Sequence, residues 1–338
     1  MRNEKIDLLR FIGLAMIILA HVEPPSILFQ LRNFDVPLMV LVSGMSFGFG
    51  YRNEPYFQYL WKRIKRLVFP VWIFLTAYFL AILVFLPSLE TLNFSTLFDS
   101  YFFIAGIGYV WIIRVFLLVA LVSPPIYAIN QRIRSDLSYL IILLTCFLVY
   151  EVIRFLAMPY IETGILKYLS LIFFYITPYS FIFALGLRIP AMNYRKNLMI
   201  MLFSISMFFV IGFALWMRSH GFVQTQEYKY PPSLYYFSYA VSASIFILIF
   251  SSQIWKIIEQ SSKIQTFVLF VAQNSLWIYL WHIPLVKLID TNFLLKYLVV
   301  CGVSITMAFI QVWFVQNILM PKFRSQTVQK NLKVLFTG

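Results

Sequence analysis

Apolar residues occur along this chain in long runs, and charged residues fall mainly between the runs. A run of about 20 apolar residues is the length that an α-helix needs to cross the hydrocarbon core of a bilayer. The pattern therefore predicts an all-α fold, a polytopic membrane helix bundle with about ten transmembrane helices. The predicted spans are residues 6–22, 34–51, 67–87, 108–130, 137–157, 165–187, 197–217, 234–254, 266–286 and 296–319.

The basic residues between the spans indicate the orientation of the bundle. With a cytoplasmic N-terminus, the inner segments hold 18 Lys and Arg residues, and the outer segments and span ends hold 7. Because cytoplasmic loops carry the excess of basic residues, both termini are predicted to be cytoplasmic. Residues 1–325 are predicted to form one transmembrane domain and residues 326–338 a short cytoplasmic tail. The loops are too short for a hydrophobic core of their own, so any chemistry must occur within or between the spans.

Composition supports the membrane class. The chain is 61% hydrophobic and 12% charged, whereas soluble domains carry about 25% charged residues. The formal charge of +14 arises in the basic loops, and no basic stripe with interleaved aromatic residues favours nucleic acid as a partner. Cys146 and Cys301 lie in apolar runs and form neither a metal-binding spacing nor a disulfide framework.

Two ionisable residues lie on one face of the first predicted span. Arg10 and His21 are eleven residues apart, which returns a helix to within about 20° of its starting direction and separates them by about 16 Å along the axis. Ionisable side chains inside a bilayer are costly, so their alignment favours a polar path through the protein. The alternative is that Arg10 reaches the inner interface and His21 the outer one. At this separation the two cannot contact one reacting atom.

Further motifs follow along the chain. Residues 34–44 read FDVPLMVLVSG, residues 63–70 RIKRLVFP, residues 229–232 KYPP and residues 279–284 YLWHIP. Together with the Arg-x10-His spacing, and in this order, the motifs resemble those of the acyltransferase-3 family of bacterial integral-membrane O-acyltransferases. Met39 departs from the family pattern, in which an aromatic residue is more usual. The resemblance extends from the first predicted span to the ninth.

The resemblance implies an activity and a location. It implies that residues 1–325 form an acyltransferase domain in the bacterial cytoplasmic membrane. The expected donor is acyl-CoA, usually acetyl-CoA, on the cytoplasmic side, and the expected acceptor is a hydroxyl group of an envelope polysaccharide. His21 would act in the chemical step, with Arg10, Arg63 and Arg66 near the donor. An imidazole can take a proton from a sugar hydroxyl or carry the acyl group itself, and the sequence does not choose between the two.

Four outer residues are candidates for acceptor binding or for support of His21. Glu23 or Asp35 could orient His21 as a carboxylate orients a base, or both could be solvated at the interface. His282 is predicted to lie at the level of His21, either lining an acceptor pocket or anchoring the helix at the interface. Tyr230 belongs to an aromatic loop that suits sugar rings as well as an interfacial belt.

Two residues within the spans complete the candidates. Ser43 precedes Gly44, which with Gly48 forms a G-x-x-x-G pattern; helix packing and close approach to the acyl thioester are the two interpretations. Arg114 must face the interior of the bundle or water, and Glu151 is a candidate partner for it. A metal site made of His21, His282 and Glu23 lacks a ligand spacing, so no metal is expected.

A second function class fits some of the same features. A transporter or flippase for a lipid-linked sugar or small solute would also need intramembrane arginines and a polar passage. Acyl-CoA binding distinguishes the two classes, because a ligand that binds the folded state must stabilise it. The expected partners are acyl-CoA, an envelope glycan and the lipid bilayer, with a homo-oligomer left open.

Overall fold

The chain folds into α-helices joined by short connections. The computed structural model describes residues 3–85, 92–161 and 164–337. Arg2, residues 86–87 at the end of the third predicted span, and Gly338 lie outside the described residues. In chain order the helices are α1 (Glu4–His21), α2 (Ser26–Leu31), α3 (Asp35–Gly50), α4 (Tyr56–Phe85), α5 (Phe94–Tyr101), α6 (Trp111–Arg132), α7 (Asp136–Ala157), α8 (Gly164–Arg188), α9 (Tyr194–Ser219), α10 (Leu234–Ile258), α11 (Ser262–Gln273), α12 (Ser275–Leu288), α13 (Phe293–Phe314) and α14 (Gln326–Phe336).

The prediction of an all-α polytopic membrane bundle is confirmed. Within the described part of the chain, eight helical segments are long and apolar enough to cross a membrane, and they contain α3, α4, α6, α7, α8, α9, α10 and α13. Two predicted spans fall outside this set. The helix α1 carries four charged residues near its start, and the ninth predicted span is divided into α11 and α12 at Asn274. The cytoplasmic location of both termini stays a prediction.

The first helix lies inside the bundle. It packs against α3, α10, α11, α12 and α13, so much of its surface contacts protein. The residues Leu8, Leu9, Leu14 and Ile18 are each at most 2% exposed. This surrounding protein explains how one helix can carry Arg10 and His21, since polar side chains inside a membrane are tolerated where they face other helices or a cavity.

Close packing of α3 against α8 depends on two glycines. A Cβ atom at Gly44 would collide with the backbone oxygen of Phe183, and one at Gly186 with that of Leu41. Small residues allow two helix backbones to approach in a membrane. Gly44 therefore serves helix packing, the first of its two predicted interpretations, and α3 is fixed next to α1 at the site described below.

Two connections bring further residues to the core of the bundle. Residues 102–110 form an irregular segment between α5 and α6 and carry Tyr109 inward. At the other end of the chain, α14 lies within the predicted tail and contacts α4. Its Leu335 carbonyl accepts a hydrogen bond from Trp277 Nε1 at 3.0 Å, so this part of the chain is docked on the bundle.

Candidate active site

Two histidines from opposite ends of the chain meet at the centre of the site. His21 is the last residue of α1, and His282 lies in α12. His282 Nε2 is 2.9 Å from His21 Nδ1, and the two rings stack with their centroids 5.0 Å apart. His282 is fully buried. The ring of Tyr109 packs edge-on against His21, at 4.8 Å between centroids.

The hydrogen bonds of the pair fix which nitrogens carry protons. His282 Nδ1 contacts the backbone carbonyl of Tyr279, and because a carbonyl only accepts, this nitrogen carries a proton. In a neutral ring Nε2 of His282 is then an acceptor, so His21 Nδ1 must donate to it. The Nε2 atom of His21 is left unprotonated, with a lone pair. This is the form of imidazole that can take a proton or attack a carbonyl carbon.

A cavity of about 170 Å³ adjoins His21, and it is named the outer cavity after the predicted orientation of the bundle. Its walls come from α1, α2, α3, the segment before α6, the start of α6, the connection between α9 and α10, and α12. The polar and aromatic lining residues are His21, Phe29, Arg32, Asp35, Trp111, Gln226, Lys229, Tyr230 and Tyr279. The aromatic rings and polar groups together resemble the lining of a site for a polyhydroxylated ligand.

A buried ion cluster forms one side of the outer cavity. Arg32 Nη1 is 2.8 Å from Asp35 Oδ2, and Lys229 Nζ is 3.4 Å from Asp35 Oδ1. Lys229 also donates to Asn33 Oδ1 at 3.2 Å. All four residues are at most 3% exposed. Burial lowers the pKa of Lys229 to about 8, and the Asp35 carboxylate opposes that shift.

The segment that carries Lys229 is fastened to the bundle at several points. Tyr150 donates its hydroxyl to the Pro232 carbonyl at 2.7 Å, and Glu151 accepts from the Leu234 amide at 2.9 Å. Farther back, the Asn33 amide donates to the Thr225 hydroxyl at 2.8 Å. The KYPP motif is thus held in place by these hydrogen bonds, and its Lys229 and Tyr230 form part of the cavity wall.

A second cavity, of about 390 Å³, is named the inner cavity after the predicted orientation of the bundle. Arg10, Arg63 and Arg66 line it together with Ser43, Ser46 and Ser275, and apolar residues form the rest of its wall. Arg10 donates to Asp7 Oδ1 at 3.2 Å and to Ser46 Oγ at 2.7 Å. The charges of Arg63 and Arg10 lie close enough to Arg66 to repel it. Three guanidinium groups beside one carboxylate suit a phosphorylated ligand.

The two cavities share wall residues. Ile17, Ile112 and Tyr279 line both of them. Arg10 and His21 therefore line adjoining spaces on the same side of α1, as the eleven-residue spacing predicts. Tyr279 holds this junction, since its hydroxyl donates to the Tyr109 carbonyl at 2.5 Å and its own carbonyl fixes His282.

Arg114 contacts the irregular segment that carries Tyr109. Its Nη1 donates to the carbonyls of Phe103 and Ile104, at 3.0 and 2.8 Å, and its guanidinium lies over the Tyr175 ring. Carbonyls left unpaired inside a membrane protein would be costly. The structure thus gives Arg114 a role in holding the segment next to His21. Glu151, the candidate partner of Arg114, pairs with Arg154 at 2.5 Å.

The remaining candidates from the sequence differ in whether they line one of the two cavities. Ser43 lines the inner cavity, and Tyr230 lines the outer one, packed edge-on against Trp111. Glu23 is exposed, with a left-handed backbone (φ 56°), and lines neither cavity. The Asp35 carboxylate pairs with Arg32 and Lys229. The side chain that is hydrogen-bonded to His21 is that of His282.

Several site residues were not singled out from the sequence. Arg32 was counted only as an outer charge, although its spacing of three residues from Asp35 is typical of a helical ion pair. Lys229 and Tyr279 belong to the KYPP and YLWHIP motifs, but the motifs alone do not indicate their contacts. No sequence pattern around Tyr109 indicates a site residue. Among the described residues, no group of three His, Cys, Asp or Glu side chains is arranged to hold a metal ion.

Comparison with known proteins identifies the family of the chain. The acyltransferase-3 family model, described as an acyltransferase domain, matches residues 3–315. The chain therefore belongs to the acyltransferase-3 family and is a multi-pass membrane acyltransferase. Searches among curated proteins and among solved structures gave no significant match.

Proposed function

We propose that this protein is an O-acyltransferase of the bacterial cytoplasmic membrane. It transfers an acyl group, which we propose is acetyl, from cytoplasmic acyl-CoA to a hydroxyl group of an extracytoplasmic or lipid-linked envelope polysaccharide. The observation that carries the proposal is the pair of cavities that adjoin beside His21, one lined by arginines and the other by aromatic and polar residues.

The inner cavity fits the donor. Arg10, Arg63 and Arg66 offer guanidinium groups for the phosphates of coenzyme A. Above them Leu14, Ile17 and other apolar residues offer a wall for the pantetheine arm. The arm would bring the thioester towards the junction at Tyr279, and the nucleotide would remain near the mouth of the cavity. The same orientation agrees with the cytoplasmic N-terminus that the basic loops predict.

His21 supplies the base for the transfer. Its unprotonated Nε2 removes the proton of the acceptor hydroxyl while the hydroxyl oxygen bonds to the thioester carbonyl carbon. The carbon–sulfur bond then breaks, and His21 returns the proton to the departing sulfur, so the products are an ester and the free thiol of coenzyme A. His282 keeps Nδ1 of His21 engaged during the transfer. Direct transfer is favoured over an acyl-histidine because the two cavities allow both substrates to be present together.

A purified preparation tests the proposal. The protein in detergent is mixed with radiolabelled acetyl-CoA and envelope polysaccharide, and both label in the glycan and release of thiol are measured. The thermal stability of the protein is recorded with and without acetyl-CoA. We expect stabilisation by acetyl-CoA and transfer of label. Arg66→Gln should weaken both, whereas Lys65→Gln, next to it but outside the cavity lining, should leave both unchanged.

Other outcomes distinguish the alternatives. No stabilisation by acetyl-CoA and no thiol release would overturn the proposal and favour a transporter. Label that stays on the protein when no acceptor is present, and then moves to added glycan, would favour an acyl-histidine over a general base.

A further inference from the structure

The outer cavity carries more positive than negative charge. Its lining includes the side chains of Arg32 and Lys229 but one carboxylate, that of Asp35, among the described residues. Asp35 is shared by both cations, at 2.8 and 3.4 Å. With Lys229 protonated, the cluster has a net charge of +1. Removing a charge from water without full compensation is expensive, so an uncompensated cation in a cavity wall favours a ligand of opposite charge.

One hydrogen-bond donor of the cluster has no partner within the described structure. Arg32 bonds Asp35 through Nη1, while its Nε atom, on the other edge of the guanidinium fork, is buried without a hydrogen-bond partner in the described structure. The side chain of Arg32 is 3% exposed. A buried donor without a partner costs free energy, so its retention in a cavity wall indicates a ligand that accepts from it.

The aromatic surroundings favour the same conclusion. Lys229 Nζ lies 5.7–5.8 Å from the ring centres of Trp111, Tyr230 and Tyr236. Tyr230 and Trp111 also line the cavity. The rings can contact the faces of a sugar while the cations meet a charged substituent on it.

We infer that the outer cavity selects an anionic acceptor: a sugar with a carboxylate or phosphate group close to the hydroxyl that is acylated, bound by Arg32 and Lys229. The inference rests on the proposed function, since it names the acceptor class of the same site. A neutral sugar can offer only hydroxyl and ring oxygens to these donors and leaves the net positive charge of the cluster uncompensated. This difference is the source of selectivity.

The wild-type protein alone provides the first test. Purified protein is titrated with three probes, methyl glucuronide, methyl glucoside 6-phosphate and methyl glucoside, and the dissociation constant is measured from thermal unfolding. We expect at least one charged probe to bind about tenfold or more tightly than the neutral one, as for charge-assisted hydrogen bonds. The two charged probes distinguish a carboxylate from a phosphate preference. Equal affinity for all three would overturn the inference.

Variants assign the selectivity to the two cations. Arg32→Gln and Lys229→Met should reduce the preference for the charged probe towards unity while binding of the neutral probe changes little. Arg218→Gln removes an exposed charge outside the cavity lining and should keep the preference. If Arg32→Gln fails to fold, Lys229→Met still decides the question. A preference that survives Lys229→Met unchanged contradicts the role given to that residue.

Failure of this inference can be separated from failure of the proposed function. Thiol release with the neutral sugar as good as with the charged ones would overturn the anion selectivity and leave the acyltransferase intact. Charge-selective binding without any acyl transfer would overturn the proposed function instead.

Discussion

Replacement of His282 tests the structure of the site more closely than any other single change. The variant His282→Phe keeps a flat ring of similar size in α12 but removes the acceptor that lies 2.9 Å from His21 Nδ1. His21 can then carry its proton on either nitrogen, and only one of the two forms has a free Nε2. The second variant, His282→Gln, retains an acceptor on a side chain of comparable reach.

The size of the effect follows from the interactions lost. One hydrogen bond contributes about 0.5–1.5 kcal/mol, which accounts for a shift of up to about tenfold between the two forms of the imidazole. Loss of ring orientation adds to this, and we take as a guide the partners that orient metal-bound histidines, which contribute about 10–100-fold. We therefore expect His282→Phe to lower kcat by about 10–100-fold and His282→Gln to recover part of that loss.

The assay is steady-state thiol release with purified protein. Because His282 lines neither cavity, the KM values for acyl-CoA and for the acceptor should stay close to those of the wild type while kcat falls. Thermal unfolding of each variant shows whether the bundle is intact. A His282→Phe protein that folds and retains full kcat would refute the proton arrangement of the histidine pair.

Two further predictions concern packing and pH. Gly44→Ala should destabilise the protein by about 1–3 kcal/mol, because the added Cβ atom meets the backbone of α8. The control is Gly50→Ala, whose Cβ atom meets no atom within 4 Å. Thermal unfolding of the two variants measures the difference, and equal stability would contradict the close α3–α8 contact. Since the pKa of Lys229 is about 8, its ammonium group is charged at pH 7 and mostly neutral at pH 9. The KM for a charged acceptor should therefore rise over that interval in the wild type and stay flat in Lys229→Met; a rise of equal size in the variant would assign the titration to another group.

The sequence predicts the helices well because each span is a long apolar run. Every predicted span corresponds to one helix, or to the pair α11 and α12 in the case of the ninth. The break at Asn274 is not predicted, because the three polar residues from Gln273 to Ser275 leave the mean hydropathy of a run of about 20 residues high. The short helices α2, α5 and α14 were also missed, since a helix of 6 to 11 residues gives little periodic signal.

The site was partly predictable for a similar reason. The alignment of Arg10 with His21 is a property of one helix, so spacing was sufficient to indicate it. The positions of His21 and His282 within their spans also predict similar depths in the membrane. Their hydrogen bond, however, depends on how α1 packs against α12. Likewise Asp35 and Lys229 are 194 residues apart, and only the folded chain shows that Asp35 serves the ion cluster. Glu151 illustrates the same limit, because the sequence offers it as a candidate partner for Arg114 and in the structure it pairs with Arg154.

The central claim is that His21 acts on substrates that meet between the two cavities. Its most direct test is acetyl transfer by His21→Ala, measured together with thermal stabilisation by acetyl-CoA. Our account predicts that transfer falls by about 10²–10⁴-fold, the usual contribution of a general base, while acetyl-CoA still stabilises the protein through the arginines of the inner cavity. Transfer at the wild-type rate by a folded His21→Ala protein would contradict the account.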